Sequence, residues 1–279
     1  MIFKNLKKFA KNCVFVAGVS TIALSTPVNA QGDLLVAPTR VVLDGSRGTE
    51  VILSNIGEDE ATYRIGLELR RMTENGRLLP VERRDASADE EAALGMIRYA
   101  PRRITLPPGQ PQAVRLAARP GADLPDGEYR VHMSFKAIPR PREVTQSEDV
   151  PPEGVSIQLI PIYGVTIPII VRQGRLEAQA AITQPRIEQG EQGPELVMSI
   201  SRSGDSSVYG VLTIAKPGQS EPIVTLRGLA VYPELDERLV RVRLTPEQHA
   251  SLTGQLRIEY REIPQAGGGL IAAVDSFVD

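Results

Sequence analysis

The longest alternating pattern in this 279-residue chain runs from residue 155 to residue 171. Every odd position in the run is apolar, which is the period of a strand with one buried face. The run is about three times the usual strand length of roughly five to six residues. Pro161 and Pro168 predict that it lies at a sheet edge, because proline has no N–H to donate to a ladder. Such a strand can pair within its own sheet and still offer apolar side chains to another protein.

Shorter alternating segments lie on both sides of this run, separated by turn residues such as Asp44-Gly45 and Asn75-Gly76. This spacing is typical of β-sandwiches, so we predict an all-β chain with two immunoglobulin-like sandwich domains. A charged segment over 86–94 is interpreted as a solvated loop or a single helical turn. The predicted strands, besides the long run, are 34–43, 50–55, 62–70, 96–99, 113–118, 128–137, 176–182, 196–201, 208–215, 223–229, 239–244, 255–260 and 270–277.

The first thirty residues have the composition of a cleavable signal peptide, with an uncleaved anchor as the alternative. Four lysines precede an apolar stretch over 13–24, and Val28-Asn29-Ala30 fits a signal-peptidase site. Cys13 is the single cysteine, so the mature chain would contain no disulfide. We therefore predict an exported protein with a signal peptide over 1–30, one domain over 31–172 and a second over 175–279. The two domains would be joined by a hinge at Arg172-Gln173-Gly174.

Composition and motifs argue against most chemical functions. The formal net charge is −2, whereas a nucleic-acid-binding protein needs a strongly basic face. The absence of tryptophan argues against a carbohydrate-binding platform of stacked aromatic rings. His132 and His249 are each interpreted as a surface residue or a hydrogen-bonded core residue, because a metal site needs three or four clustered ligands. No nucleophile elbow or phosphate-binding loop occurs in the sequence. We therefore expect no catalytic residue, no metal, no cofactor and no small-molecule substrate.

Arg40 is the polar residue with the clearest potential role, because it interrupts an otherwise apolar segment. Two interpretations are open from the residues alone. Arg40 could be an outward-facing residue of an edge strand. It could instead face a cleft, where its guanidinium could hold a carboxylate by two parallel hydrogen bonds.

Several motifs of the first domain resemble the PapD-like periplasmic chaperones of the chaperone–usher pathway. The opening resembles theirs in PTRVVLDGS at 38–46, followed by Ser54-Asn55. The family's "P…L.PG…VRL" segment is similar to 101–116, which contains LPPGQ at 106–110 and VRL at 114–116. Its penultimate strand is similar to LPDGEYR at 124–130, with the following Ala137-Ile138-Pro139. The resemblance covers the first domain, and in the second it is only architectural.

This resemblance implies two immunoglobulin-like domains in a boomerang arrangement, with a cleft between them. The chaperone lends a strand to a pilus subunit that lacks its last strand, a form of strand addition. The donated side chains would be Ile157, Leu159, Pro161 and Tyr163. Arg40 matches the cleft arginine that holds the subunit's C-terminal carboxylate.

The chain departs from the family pattern at two positions of the cleft. The second cleft cation of the family is a lysine, and Pro168 stands at the matching position, with Arg98, Arg103 and Arg115 as open candidates to replace it. Glu128 and Arg172 match two members of a charge cluster that fixes the interdomain angle. The third member is an acid in the second domain that falls near Gln265, with Glu262 or Asp275 as alternatives.

The resemblance predicts a periplasmic chaperone that binds pilus or fimbrial subunits and delivers them to an outer-membrane usher. The alternative is a secreted structural or adhesive immunoglobulin-like protein whose long strand polymerises with itself. A periplasmic ligand-binding protein is a third interpretation, and it would need a pocket with convergent polar groups.

Overall fold

The computed structural model describes residues 34–139 and 162–278. Almost all regular structure in this part of the chain is β-strand, in agreement with the alternation pattern. In chain order the elements are β1 (Leu34–Ala37), β2 (Val41–Leu43), β3 (Thr49–Asn55), β4 (Ala61–Met72), β5 (Leu78–Val81), α1 (Ala88–Met96), β6 (Ile97–Ala100), β7 (Arg103–Leu106), β8 (Pro111–Ala118), β9 (Gly127–Ile138), β10 (Gly164–Gln173), β11 (Ala178–Gly190), β12 (Gly193–Gly204), β13 (Val208–Ala215), β14 (Val224–Val231), β15 (Glu237–Arg243), α2 (Pro246–Ser251), β16 (Gly254–Glu262) and β17 (Leu270–Val278).

The first sandwich packs the sheet β1-β3-β8-β6 against the sheet β2-β10-β9-β4-β5, with β7 paired to β4. Its core follows from the period-two alternation of its longest strands. In β9 the residues Val131, Met133 and Phe135 are fully buried, and β10 places Ile169 and Ile167 opposite the first two. These side chains interdigitate with those of the other sheet in one continuous apolar cluster.

The second sandwich packs the sheet β11-β12-β15 against the sheet β14-β13-β16-β17. Its core is separate from that of the first sandwich and is built from residues between Ile182 and Val278. The chain passes from one sandwich to the other between Gln173 and Ala178, where Gly174 has a φ of 78°. The two sandwiches are the predicted fold class.

Two local predictions were wrong. The predicted strand 34–43 is broken at Pro38, so that β1 joins one sheet and β2 joins the other. The segment predicted as a solvated loop or single turn is the nine-residue helix α1. Ser87 and Glu90 form a capping box at its start, and Ala93 and Met96 are buried against the first sandwich. Strands β5 and β7 were not predicted at all.

Strand β10 is the described part of the long alternating run. It lies between β9 and β2, and β2 pairs with it in parallel only over Ile169–Val171. The run's residues 155–161 lie outside the described residues. Pro161 and Pro168 predicted an edge strand, and β10 is one over Gly164–Pro168, where its only partner among the described residues is β9.

A small third apolar cluster joins the two sandwiches. Ile170 and Met72 of the first contact Ala230 and Tyr232 of the second, and all four are buried. The hairpin turn after Met72 adds a backbone contact, because Leu239 N–H donates to the carbonyl of Glu74 at 2.8 Å. Neither helix of the described residues is long and apolar enough to cross a membrane.

His132 is a buried titratable side chain of β9, on the face of the sheet opposite to Val131 and Met133. It is 1% exposed, and neither ring nitrogen has a hydrogen-bond partner among the described residues, so the expectation of a hydrogen-bonded core residue was wrong. It lies between Glu68 on β4 and Pro168 on β10. Burial lowers the pKa of His132 to about 3, with Arg130 and Arg70 adding to the shift and Glu68 opposing it.

Replacing this histidine should change the acid sensitivity of folding. The pKa of His132 is lower in the folded than in the unfolded state, so the unfolded chain binds the extra proton between about pH 6.5 and pH 3. Stability is therefore present above this window and is lost as pH falls through it. His132→Leu should remove a slope of about 1.4 kcal/mol per pH unit near pH 4.5. Urea unfolding at several pH values measures it, and identical slopes in both proteins would contradict the prediction.

Candidate functional site

A cleft of about 1050 Å³ opens between the two sandwiches. The alternation pattern contains no signal for it, because its walls come from segments far apart in the chain. Arg40 and Arg172 of the first sandwich line it together with residues of β11, of the segment 206–209 and of the turn before β17. The cleft therefore brings two guanidinium groups into a largely polar cavity.

Arg40 lies in the bend between β1 and β2, not within a strand as predicted. Its guanidinium is held by the second sandwich. Nη2 donates to Ser207 Oγ at 3.1 Å, and the guanidinium carbon lies 4.4 Å from the ring centroid of Tyr209 and 5.9 Å from that of Tyr232. Nη1 is buried and has no hydrogen-bond partner within 34–139 and 162–278. Burial lowers the pKa of Arg40, while Tyr232 and Glu128 oppose the shift.

Glu128 and Arg172 form an ion pair on neighbouring strands of the first sandwich. Arg172 Nε lies 3.1 Å from Glu128 Oε2, and the Glu128 side chain is fully buried. The same oxygen accepts hydrogen bonds from the backbone N–H of Ser207 at 3.0 Å and from its hydroxyl at 2.9 Å. Arg172 Nη2 in turn donates to the Ser207 carbonyl at 3.2 Å. The pair is thereby tied to the second sandwich through one serine.

Ser207 takes the place in this cluster at which the resemblance predicted an acid near Gln265. Gln265 and Glu262 line the cleft, but the Glu128–Arg172 pair bonds to Ser207 instead. Asp275 is on β17, where it pairs with Arg257 at 2.9 Å. The sequence does not predict that Ser207 would bond to this ion pair, because a serine in a turn can serve many purposes.

A second ion pair crosses between the sandwiches and was not anticipated from the sequence. Arg130 Nη2 lies 2.5 Å from Glu234 Oε1, and the Arg130 side chain is 8% exposed. The Arg130 guanidinium also stacks 3.6 Å from the centroid of the Tyr232 ring. Glu234 Oε1 accepts the backbone N–H of Met72 at 2.8 Å. These residues are far apart in the chain, so no spacing could have linked them.

Arg202 supports the loops of the second sandwich that reach the first. It donates four hydrogen bonds to carbonyl oxygens, and it is 7% exposed. Two of these carbonyls belong to Gly204 and Ser206, just before Ser207, and two belong to Pro233 and Leu235, on either side of Glu234. Arg202 therefore fixes, from inside the second sandwich, the two segments that carry Ser207 and Glu234 to the first.

The open edge of β10 ends beside Arg40. Ala137 N–H donates to the Tyr163 carbonyl, so the backbone groups of odd residues point to β9 and those of even residues point away. Among the described residues no strand pairs with the outward side of Gly164 and Thr166, and Pro168 presents a carbonyl only. Pairing with β2 begins at Ile169, whose partner Val41 directly follows Arg40.

Of the predicted donor residues, only Tyr163 lies within the described part of the chain, and it is 48% exposed. It lines an apolar pocket of about 290 Å³ with Leu34 and Ile56, above the buried Tyr63 and Phe135. This pocket lies where β10 enters the first sandwich. Ile157, Leu159 and Pro161 are outside the described residues.

The three arginines that could have replaced the missing lysine are not in the cleft. Arg115 pairs with Glu50 on the exposed face of β8, and Arg98 donates to the Gly95 carbonyl. Arg103 is on β7, opposite Arg64. Arg172 is the other cation that lines the cleft. Within residues 34–139 and 162–278, no group of three side chains could hold a metal ion.

Solved structures of fimbrial chaperones align with most of the chain. The Pseudomonas aeruginosa CupB2 chaperone has 14% identity over 88% of this chain and 100% of its own, with a TM-score of 0.44. The Escherichia coli chaperone DraB has 14% identity over 89% and 97%, with a TM-score of 0.43. The Salmonella enterica SafB chaperone, solved with the SafA pilin, has 15% identity over 88% and 96%, with a TM-score of 0.44. No protein-family model and no curated protein sequence matches the chain. At this similarity, the function has to be argued from the site itself.

Removing the acid of the second ion pair should destabilise the protein. Glu234→Ala would leave the Met72 N–H without its acceptor and the buried Arg130 charge without its carboxylate, with only the Arg70 carbonyl still accepting from Arg130. We expect a loss of about 2–4 kcal/mol in the free energy of unfolding, measured in urea. The matched control is Glu188→Ala, because Glu188 pairs with the half-exposed Arg186 and Arg241 and should cost less than about 1 kcal/mol. Equal losses in the two variants would show that Glu234 is an ordinary surface acid.

Proposed function

We propose that this protein is a periplasmic chaperone that binds pilus or fimbrial subunits by strand addition and delivers them to an outer-membrane usher. The observation that carries the proposal is the edge of β10 over Gly164–Pro168, which no other described strand covers and which ends where β2, directly after Arg40, begins to pair with β10. An open apolar edge is an aggregation hazard unless it has a partner. A strand-binding function gives this edge a partner.

Backbone chemistry supports an incoming strand at this edge. Gly164 and Thr166 each direct an N–H and a C=O to the outward side, where no described strand pairs with them, and these are the groups that a paired strand would use. The incoming strand could not extend past Ile169, because β2 occupies the edge from there on. A strand that ended at this point would bring its C-terminal carboxylate close to Arg40. The guanidinium is suited to a carboxylate because its paired N–H groups match the two oxygens.

Side-chain parity supports the choice of donated residues. Ile157, Leu159, Pro161 and Tyr163 share their parity with Ile167 and Ile169, which fill the core of the first sandwich. Side chains of one parity share one face of a strand. If the strand is continued beyond Tyr163, these residues extend the same apolar face beyond the sandwich and offer it to a subunit. Each buried aliphatic side chain would contribute roughly 1.5–3 kcal/mol.

The alternative is a structural or adhesive protein whose open edge pairs with another copy of the same chain. The position of Arg40 favours the chaperone, because a pairing strand that continues as part of a long chain has no terminal carboxylate to offer. The alternative predicts homo-oligomers without a bound subunit.

The proposal is tested by what the tagged protein binds in the periplasm of its own host, identified by mass spectrometry. We expect a stoichiometric small β-rich protein with a terminal donor-strand extension. The Arg40→Ala variant serves as the control and should recover much less of it. Recovery of the protein alone, or only bound to itself, while its subunits are expressed, would favour the structural alternative.

Closing the open edge with a single proline should weaken capture. Thr166→Pro removes an N–H that points away from β9, so the pairing with β9 is kept while the incoming strand loses a donor. The control is Thr166→Val, which keeps the N–H and removes only the hydroxyl that lies 3.5 Å from Glu68. In a co-expression pull-down, we expect several-fold less bound subunit with proline and normal binding with valine. Equal recovery with both variants would rule out pairing at this edge.

The donor-strand assignment predicts that subunit binding is sensitive to changes at odd residues of the strand and insensitive to the same changes at even residues. Leu159→Glu would place a charge on the face offered to the subunit, and burying it would cost several kcal/mol. Gln158→Glu adds the same charge one residue away, on the opposite face. Subunit binding should be abolished by the first change and kept by the second, with both free proteins folded by circular dichroism. If the two variants bind alike, then the register of the donated strand is wrong.

A further inference from the structure

We infer that Arg172 is the second cation of the carboxylate site. Arg40, bonded to the Ser207 hydroxyl, and Arg172, bonded to the Ser207 carbonyl, would both contact the ligand. The inference rests on the proposed function, which supplies the carboxylate. It goes further because it assigns to one arginine both an interdomain ion pair and a ligand contact. Pro168, at the position where the resemblance predicted the second cation, has no charge to offer.

The geometry of Arg172 leaves donors for a ligand. Its Nε is bonded to Glu128 and its Nη2 to the Ser207 carbonyl, while the described residues offer no acceptor for Nη1. The side chain is 38% exposed and lines the same cleft as Arg40. Arg172 is therefore not enclosed by its interdomain partners, and part of its side chain faces the cavity in which the ligand would sit.

The charge balance of the cluster also points to an anion. Arg40 and Arg172 contribute two positive charges, and Glu128 is the one carboxylate bonded to either of them in the described chain. Ser207 is neutral, although it occupies the position of the expected second acid. These three bonded side chains therefore carry one surplus positive charge, partly removed from water. Glu262 also lines the cleft, but among the described residues it bonds to neither arginine, so a ligand carboxylate could still pair with them directly.

Arg40 is already positioned for this role. The Tyr209 ring lies against one face of its guanidinium, and the Ser207 hydroxyl fixes Nη2. Nη1 is buried and has no acceptor. Both arginines are anchored to the same residue, one to its hydroxyl and one to its carbonyl. A planar carboxylate bridging the two guanidinium groups is the ligand class that fits, and a peptide C-terminus is its form under the proposed function.

The test uses a short peptide of alternating valine and threonine, prepared with a free C-terminal carboxylate and as the amide. Binding of both forms to the full mature chain gives an acid preference, defined as the ratio of the two dissociation constants. We expect wild type to prefer the acid by at least roughly tenfold, as for a hydrogen bond to a charged group. Arg172→Gln should reduce this preference by roughly tenfold, and Arg172→Lys by less, because lysine keeps the charge.

The matched control is Glu128→Gln, which breaks the same interdomain ion pair from the other side. It frees the Arg172 guanidinium from a competing carboxylate, so the acid preference should rise. A purely structural role of the pair predicts instead that both variants lose the preference alike, which would overturn the inference. Urea unfolding of each variant verifies that a folded protein is compared.

The outcomes separate this inference from the function on which it rests. A wild type that binds neither peptide, or binds both equally, would contradict the proposed carboxylate anchor itself. A wild type with a clear acid preference that depends on Arg40 but survives Arg172→Gln would leave the chaperone proposal standing and remove Arg172 from the site.

Discussion

One buried carboxylate oxygen determines how the two sandwiches meet. Glu128 Oε2 accepts hydrogen bonds from Arg172 Nε and from both the N–H and the hydroxyl of Ser207. A buried charge is costly unless its donors are all in place. Because these donors come from both sandwiches, Oε2 has all of them only when the sandwiches are correctly apposed, while Oε1 is buried without a donor among the described residues. The Arg130–Glu234 pair and the small apolar cluster around Tyr232 then reinforce a contact that Glu128 has made specific.

Strand β10 connects this interface to the open edge. Its odd residues, such as Ile169, fill the first core, while its even residues have other roles. Ile170 packs in the interdomain cluster, Pro168 limits the outward backbone to a carbonyl, and Arg172 enters the cleft. A single strand therefore provides core and interface, and under the proposed function the binding edge, through the alternation and position of its residues. A one-residue slip would exchange all of these roles, which makes its register strongly constrained.

The sequence was sufficient for the features that depend on local chemistry. Alternation located most strands, and Gly and Pro located their turns. Ser87 and Glu90 are a capping box that marks the start of α1 in the sequence itself. The interpretation of this segment as a loop gave more weight to its charge than to this helix signal and was wrong. The break at Pro38 was missed because 34–43 keeps its apolar character through the change of sheet. Contacts such as Arg130 with Glu234, or Ser207 in place of an acid, depend on the tertiary fold and leave no trace in residue spacing.

Under the proposed function, ligand binding and interdomain contact would both involve Ser207, and this would couple the two thermodynamically. Arg40 and Arg172 both bond to Ser207, so a carboxylate that engages them acts on the hydrogen bonds that join the sandwiches. By thermodynamic linkage, the free energy by which a ligand stabilises one interdomain arrangement equals the free energy by which that arrangement strengthens ligand binding. With an acid in place of Ser207, the cluster would be neutral and the coupling weaker. The hydrogen bonds from Ser207 to Glu128 already close this interface, so under the proposed function a ligand carboxylate would neutralise the surplus positive charge of a contact that is in place.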